Sequence, residues 1–444
     1  MNKQKNISHG VDLTVIWLYA ILVLIGLICI FMVEYRGTGD WLSTFLNGKS
    51  SYSKQLFFAG LCTFIATFII LTDSKIFTAF ANLLYAFGIL LMIATFVIGK
   101  TINGSKSWIP LGGGFNLQAV EICKIFTALA LAKFLSRQET DFTKFKSQAI
   151  AVIITLLPAV ISVLQHESGM ALVYFSFFLV MFREGLSPIV LIIGFSFVAL
   201  IISTLLVEPD TLAILLSAVA LIFIYLYRKT IKKKKGLLYL ILFIWFTSVG
   251  IQRFAVPFIF NNVLECYQSA RVYSAFGKDY DCGENKRSAK KSSKAPRKPD
   301  DYNVRQSKIA IGSGGFLGQG FLKGTQTRGK YVPEQRTDFI FTSLGEAFGF
   351  VGCFAFLLVY LFLLFRLIHI AERQRSTFSR VYAYSVVSIL FFHIAFNICM
   401  TIGLFPSPGI TLPFISYGGS SLLSFTILIF VLLRLDADRQ MVLR

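Results

Sequence analysis

The chain has 444 residues, 55% of them hydrophobic and 15% charged, with a mean hydropathy of +0.68. That balance excludes an ordinary soluble domain. The net charge of +20 comes with no nucleic-acid-binding motif, so it reads as positive-inside signal and attraction to anionic lipid, and no nucleic-acid partner is expected.

Apolar runs long enough to cross a hydrocarbon core lie near 12–33, 55–72, 76–98, 119–135, 148–164, 169–183, 188–207, 211–228, 237–256, 339–365, 380–401 and 416–434. They are long and continuous rather than short and alternating, which predicts an all-α polytopic membrane protein with about 10–12 spans. The first run is too long for a signal-peptide core and reads as a retained helix. Three regions follow: an N-terminal transmembrane bundle (1–256), a large loop (257–337), and C-terminal helices (338–444).

Lys3 and Lys5, Arg137, Lys144 and Lys146, Arg183, the "IKKKKG" run, "ERQRSTFSR" and the C-terminal arginines fall on one side if the spans alternate. That side is expected to be cytoplasmic, with both termini inside.

Within the 119–135 span, "AVEICKI" places Glu121 and Lys124 three residues apart on one helix face, where they can pair. Charges inside a span point to function by default, but an internal pair can equally fix helix packing. In "LQHESGMALVY", Glu167 sits in a short turn between spans, either lining a cavity with Glu121 or capping the next helix.

The large loop has two halves. Residues 278–300 are rich in Lys, Ser and Pro and too polar to bury a core, so a mobile basic insert is expected. Cys266 and Cys282 flank its start and could pair in an oxidising compartment. "GSGGFLGQG" (312–320) follows, surrounded by Lys308, Lys323, Arg328 and Arg336. It lacks the ending of a P-loop; it is a set of structural turns or a cradle for pyrophosphate. "YVPEQRTDFIF" then sets Glu334, Arg336 and Asp338 at the mouth of a span, where Thr337 or Asp338 could cap the helix. "PSPGITLPFISYGGSSLL" breaks helix with three prolines and opens the last span with small residues suited to close packing.

"WIPLGGGFNLQAVEICK", "QHESGMALVY", "QSKIAIGSGGFLGQGFLKGTQTRGKYVPEQRTDFIFTSLGEAFGFVG" and "LPFISYGGSSLL" together resemble the SEDS family of bacterial cell-wall proteins, and "GTQT" with "VPEQ" resembles its RodA branch more than its FtsW branch. The chain departs from the family pattern at Arg336, where His is usual, and at Glu167, where Asp is common. Such proteins typically have ten spans.

The resemblance implies a peptidoglycan glycosyltransferase of cell elongation, acting on lipid II, an undecaprenyl-pyrophosphate-linked disaccharide-pentapeptide. Asp338 would be the catalytic base, with Arg336, Lys308, Glu121, Lys124, Glu167, Gln326 and Ser416 around the substrate. It also implies a class B penicillin-binding protein transpeptidase and other elongation-complex membrane proteins as partners, a location in the bacterial inner membrane, and an active site facing the periplasm. No cofactor motif is evident. A divalent cation, Mg2+ or Mn2+, is left open beside the leaving pyrophosphate, with its ligands unknown. The alternatives are a lipid II flippase, a division-type polymerase, or a scaffold that needs no catalytic acid.

Overall fold

The computed structural model describes residues 10–35, 50–102, 105–112, 115–263 and 300–439. Cys266, Cys282 and all of the basic insert except Asp300 lie outside the described residues. The chain forms two compact units, Met1–Leu186 with Asn303–Arg444, and Ser187–Tyr302.

The first unit begins with α1 (Leu13–Glu34), α2 (Ser51–Leu71) and α3 (Ser74–Ile98). An antiparallel sheet of β1 (Lys100–Ile102), β2 (Ser105–Gly112) and β3 (Phe115–Gln118), in that order, comes next. Then follow α4 (Ala119–Leu135), α5 (Phe145–Leu164) and the short pair α6 (Ser168–Tyr174) and α7 (Phe177–Arg183). The second unit holds α8 (Pro188–Leu206), α9 (Pro209–Leu226), α10 (Arg228–Lys233) and α11 (Gly236–Gly250), which runs on into π-helical turns. The chain returns through α12 (Asp300–Gly314), α13 (Thr325–Gly329), α14 (Ile340–Glu372), α15 (Thr377–Thr401) and α16 (Gly419–Ala437).

Among the described residues, nine helices are long and apolar enough to cross a membrane. The protein is therefore a multi-pass helical membrane protein. The remaining apolar runs form shorter helices: α4, the α6–α7 pair and part of α8. All twelve runs read from the sequence are helical, and the 169–183 run is broken in two.

The hydrophobic side chains of this bundle face two ways. α16 and α4 are buried along nearly their whole length, with Leu428, Ile429, Leu432 and Leu131 fully enclosed. On α2 and α3, Phe57, Phe64, Phe68 and Phe87 stand exposed. Helices apolar all round suit hydrocarbon on one face and protein on the other.

The two ends of the first unit differ chemically. At one end Arg373 donates to both Asp12, just before α1, and Asp436, near the end of α16, so the two ends of the bundle's chain meet there. Arg366 adds a second bond to Asp12, Arg380 pairs with Glu184 at 2.8 Å, and Arg434 pairs with Asp438 at 2.9 Å. The opposite end carries the sheet, the Gly-rich loop and the 331–339 segment.

Candidate active site

Residues 331–339 form a strap that precedes α14. Val332 and Phe339 are buried in a cluster with Ala310 of α12 and Met400 of α15. That cluster anchors both ends of the strap, and it ties the helix carrying Lys308 to the residue next to Asp338. Gln335 is buried between them, its amide donating to the Thr327 hydroxyl at 2.9 Å and the Thr342 hydroxyl at 3.1 Å.

Three successive carbonyls of the strap are each held from elsewhere. Arg336 O accepts the Tyr417 N–H at 2.9 Å. Thr337 O accepts the Ser416 hydroxyl at 2.5 Å. Asp338 O accepts the Asn397 amide at 2.8 Å. The backbone under Asp338 is thus fixed, while its side chain is half-buried and lies beside Gly409, where an added Cβ would stand 3.3 Å from Oδ2. The helix itself opens at Ile340, and the Thr337 hydroxyl turns back to the Glu334 carbonyl.

The other expected residues fall in distinct places. Arg336 is exposed; its guanidinium donates to the Ser51 hydroxyl at 3.0 Å and lies 5.7 Å from the Tyr417 ring centre. Lys308 is exposed on α12 with its stem laid against Gly403. Ser416 is buried, and its hydroxyl also accepts the Leu412 N–H at 2.9 Å, so it sits in the frame beneath Asp338. Gln326 lies at the start of α13, with its N–H donated to the Glu346 carboxylate at 2.7 Å.

Glu121 and Lys124 are fully buried and paired inside the bundle. Lys124 lies 4.0 Å from the Phe425 ring centre and 3.2 Å from His393 Nε2. His393 Nδ1 faces the Thr411 carbonyl at 3.1 Å. A carbonyl only accepts, so Nδ1 carries the proton and Nε2 is left to accept from the ammonium. Glu167 takes the Ser107 hydroxyl at 2.6 Å and the Gln118 amide at 3.2 Å, both from the sheet. The Gln118 N–H is in turn donated to Ser420 at 3.2 Å, which connects Glu167 to the "SYGGSS" segment.

The Gly-rich loop is zipped along the first turns of α14. Gln319 N–H donates to Glu346 O at 2.9 Å, Gly320 N–H to Ala347 O at 3.0 Å, and Phe350 N–H to Gly315 O at 2.9 Å. α14 leaves helical geometry at Gly349, with φ +61°, and the loop supplies the hydrogen bonds the break would otherwise forfeit. A side chain at Gly318 or Gly349 would collide with the facing backbone, so these two glycines serve close approach.

Sequence reasoning missed His393, Asn397, Gln335 and Glu346, all buried. The one available signal was "FFHIAFNICM", in which His393 and Asn397 stand four apart on one face of an apolar span. Among the described residues, no group of three or more His, Cys, Asp or Glu side chains is placed to hold a metal. A divalent ion held by one or two carboxylates together with the pyrophosphate itself needs no such group, and no step is derived through one.

Fold and site together define a polytopic membrane protein with a half-buried carboxylate framed at one end of its bundle. The FtsW/RodA/SpoVE family model, described as a cell cycle protein, matches residues 13–229 and 187–441, and the chain belongs to that family. It is 30% identical to the peptidoglycan glycosyltransferase RodA of Treponema pallidum, over 93% of this chain and 94% of that one. It is 29% identical to the peptidoglycan glycosyltransferase MrdB of Escherichia coli K12, over 79% and 75% of the two chains. The fold resembles that of the Thermus thermophilus rod shape determining protein RodA, with a TM-score of 0.60 at 21% identity over 97% of this chain and 98% of that one. It also resembles a chain from a solved peptidoglycan synthase complex that coordinates polymerization and crosslinking, with a TM-score of 0.67 at 22% identity over 97% and 98%.

Proposed function

We infer that this protein is a peptidoglycan glycosyltransferase of the RodA type, which polymerises lipid II into glycan strands during elongation and maintenance of rod shape. The observation that carries the reading is the framed Asp338, set where an apolar span meets a polar end of the bundle, in a chain similar to RodA along almost its whole length.

The chemistry asks for three things. The attacking 4-hydroxyl must lose a proton, and Asp338 is the base, its side chain half-buried while its backbone is held. Pyrophosphate leaves with growing negative charge, and the exposed cations Arg336 and Lys308 stand on the elements packed around Asp338 to receive it. The lipid tails need hydrocarbon at the same level, which the apolar outer faces of the spans supply. Gln326, Ser416 and Glu167 act through the frame: they hold α13, the strap and the sheet. Glu121 and Lys124 act from inside the bundle, through His393 and the Thr411 carbonyl.

The arginine-rich end, where Arg373 bonds both Asp12 and Asp436, is the cytoplasmic one, so both termini lie inside and Asp338 faces the periplasm. The setting is the bacterial inner membrane. The partner is a class B penicillin-binding protein, which crosslinks the new strand; the fold's likeness to a chain of a peptidoglycan synthase complex supports this.

Purified protein given labelled lipid II tests the reading. Glycan polymer is the expected product. Movement of lipid II across a bilayer without polymer would make the protein a flippase, and neither result would leave a scaffold.

A further inference from the structure

Asn397 is fully buried in α15, and both hydrogens of its amide are spent on backbone carbonyls. One goes to Asp338 O at 2.8 Å and the other to Ile410 O at 2.7 Å. A side chain facing two acceptors must present nitrogen, so the orientation of this amide is fixed by its partners. One turn earlier on the same face, His393 faces the carbonyl of Thr411, the residue after Ile410. α15 therefore grips the 410–411 backbone twice, and through Asn397 joins it to the residue that carries the carboxylate.

The same loop closes on the strap from its other side. Ser416 Oγ and Tyr417 N–H bind the two carbonyls before Asp338 O. Gly409, one residue before Ile410, is the neighbour of the Asp338 carboxylate. The loop that shapes one wall of the carboxylate's site and the backbone that carries the carboxylate are thus held in one register by three donors, of which only the Asn397 amide bonds both and reaches Asp338 itself.

We propose that Asn397 is the positioning residue of the reaction, fixing Asp338 against the 409–417 loop so that its carboxylate meets the attacking hydroxyl. The proposal rests on the glycosyltransferase reading. Asn397 touches no reacting atom and acts only through Asp338. Loss of its amide leaves Asp338 O and Ile410 O without this donor and loosens the strap against the loop at Asp338, while the Ser416 and Tyr417 bonds remain. Misplacing a catalytic group by about 1 Å can cost on the order of a hundredfold in rate.

The test uses the full-length protein in detergent or nanodiscs with three substitutions. Asn397→Asp keeps the shape and replaces the donor with a second acceptor; Ser416→Ala removes one milder bond of the same frame. Ser385→Ala is the control. Ser385 is buried in α15 as well, but among the described residues its hydroxyl bonds only the Val381 carbonyl of its own helix, at 2.8 Å. Two quantities are read: steady-state polymerisation of lipid II, and hydrogen–deuterium exchange of the Tyr417 amide, which needs no substrate.

Asn397→Asp is expected to lower kcat roughly ten- to hundredfold with KM within about twofold of the unsubstituted value, and to speed Tyr417 exchange. Ser416→Ala should do the same to a smaller degree, and Ser385→Ala should change neither quantity. Faster exchange with kcat unchanged would overturn the proposal. A fall in kcat matched by loss of folded protein, or by an equal fall for Ser385→Ala, would show a merely structural role and would also overturn it. Absence of polymer from the unsubstituted protein would instead overturn the glycosyltransferase reading, and the exchange of Tyr417 in Asn397→Asp would then decide the clamp alone.

Discussion

The carboxylate of Glu346 holds Thr327 twice, by its backbone N–H at 3.0 Å and by its hydroxyl at 2.6 Å. With the Gln326 N–H on its other oxygen, this one buried side chain satisfies the first turn of α13. The "GTQT" segment is therefore built on α14 and does not stand alone as a loop.

Replacing Glu346 by Gln keeps the shape but puts an NH2 group against N–H donors. A cost of about 1–3 kcal/mol is expected, the penalty for leaving buried donors unsatisfied. Thermal unfolding in detergent should show it as a lower Tm, and amide exchange at Gln326 and Thr327 should rise. An unchanged Tm would mean that water replaces the carboxylate there.

The internal ion pair is expected to respond unequally to its two single substitutions. Glu121→Gln leaves Lys124 with His393 Nε2 and the face of Phe425. Among the described residues, Lys124→Met leaves the Glu121 carboxylate with no such second partner, and its Oε1 already lacks a hydrogen bond. Loss of one member of a buried pair costs about 3–5 kcal/mol, and Lys124→Met should lie at the upper end of that range and Glu121→Gln at or below its lower end. The double variant should recover much of the lost Tm. If it also recovered full polymerisation, the pair would have no direct part in the chemistry.

Acid stability has an identifiable contributor at the opposite end. Burial alone would raise the Asp12 carboxyl, but the hydrogen bond and charge of Arg366, with the charge of Arg373, more than offset it and hold the group below the usual 3.8. A carboxylate depressed in the folded state contributes fully above its unfolded value and loses that contribution as pH falls through the folded one. Tm should therefore be insensitive to this group near neutral pH and decline below about pH 4. Asp12→Asn should be less stable than the parent near neutrality and should show a shallower acid decline. Parallel Tm curves for the two proteins from neutral pH into acid would contradict this.

Much of the fold was legible because hydrocarbon imposes length. All twelve apolar runs could be read as helices without knowing what each touches. α14 runs to Glu372 rather than ending near 365, since Arg366 is neutralised by Asp12 and need not mark a span's end. The small sheet was not foreseen: β2 and β3 lie in "SKSWIPLGGGFNLQ", a stretch between two apolar runs that three glycines and a proline interrupt. Asp338 was legible because an acid at the mouth of a span is costly and needs a reason. Its frame was not, because the donors to Asp338 O and Thr337 O lie 59 and 79 residues further along the chain. No local pattern announces such a bond. Arg336 and Lys308 were legible as cations, but only the structure shows Arg336 tied to Ser51 and Lys308 laid on Gly403.

The central claim is that the Asp338 carboxylate takes the proton of the attacking hydroxyl. The direct measurement is the initial rate of lipid II polymerisation by purified Asp338→Asn protein beside the unsubstituted one, with lipid II binding and Tm measured on the same samples. Asn preserves size and leaves the backbone held by Asn397 and Ser416, but it does not take up a proton at neutral pH. Loss of a general base costs roughly 100- to 10,000-fold in rate. The variant should therefore fold, insert and bind lipid II while forming no detectable glycan polymer. Polymerisation by Asp338→Asn at a rate near that of the unsubstituted protein would contradict the account.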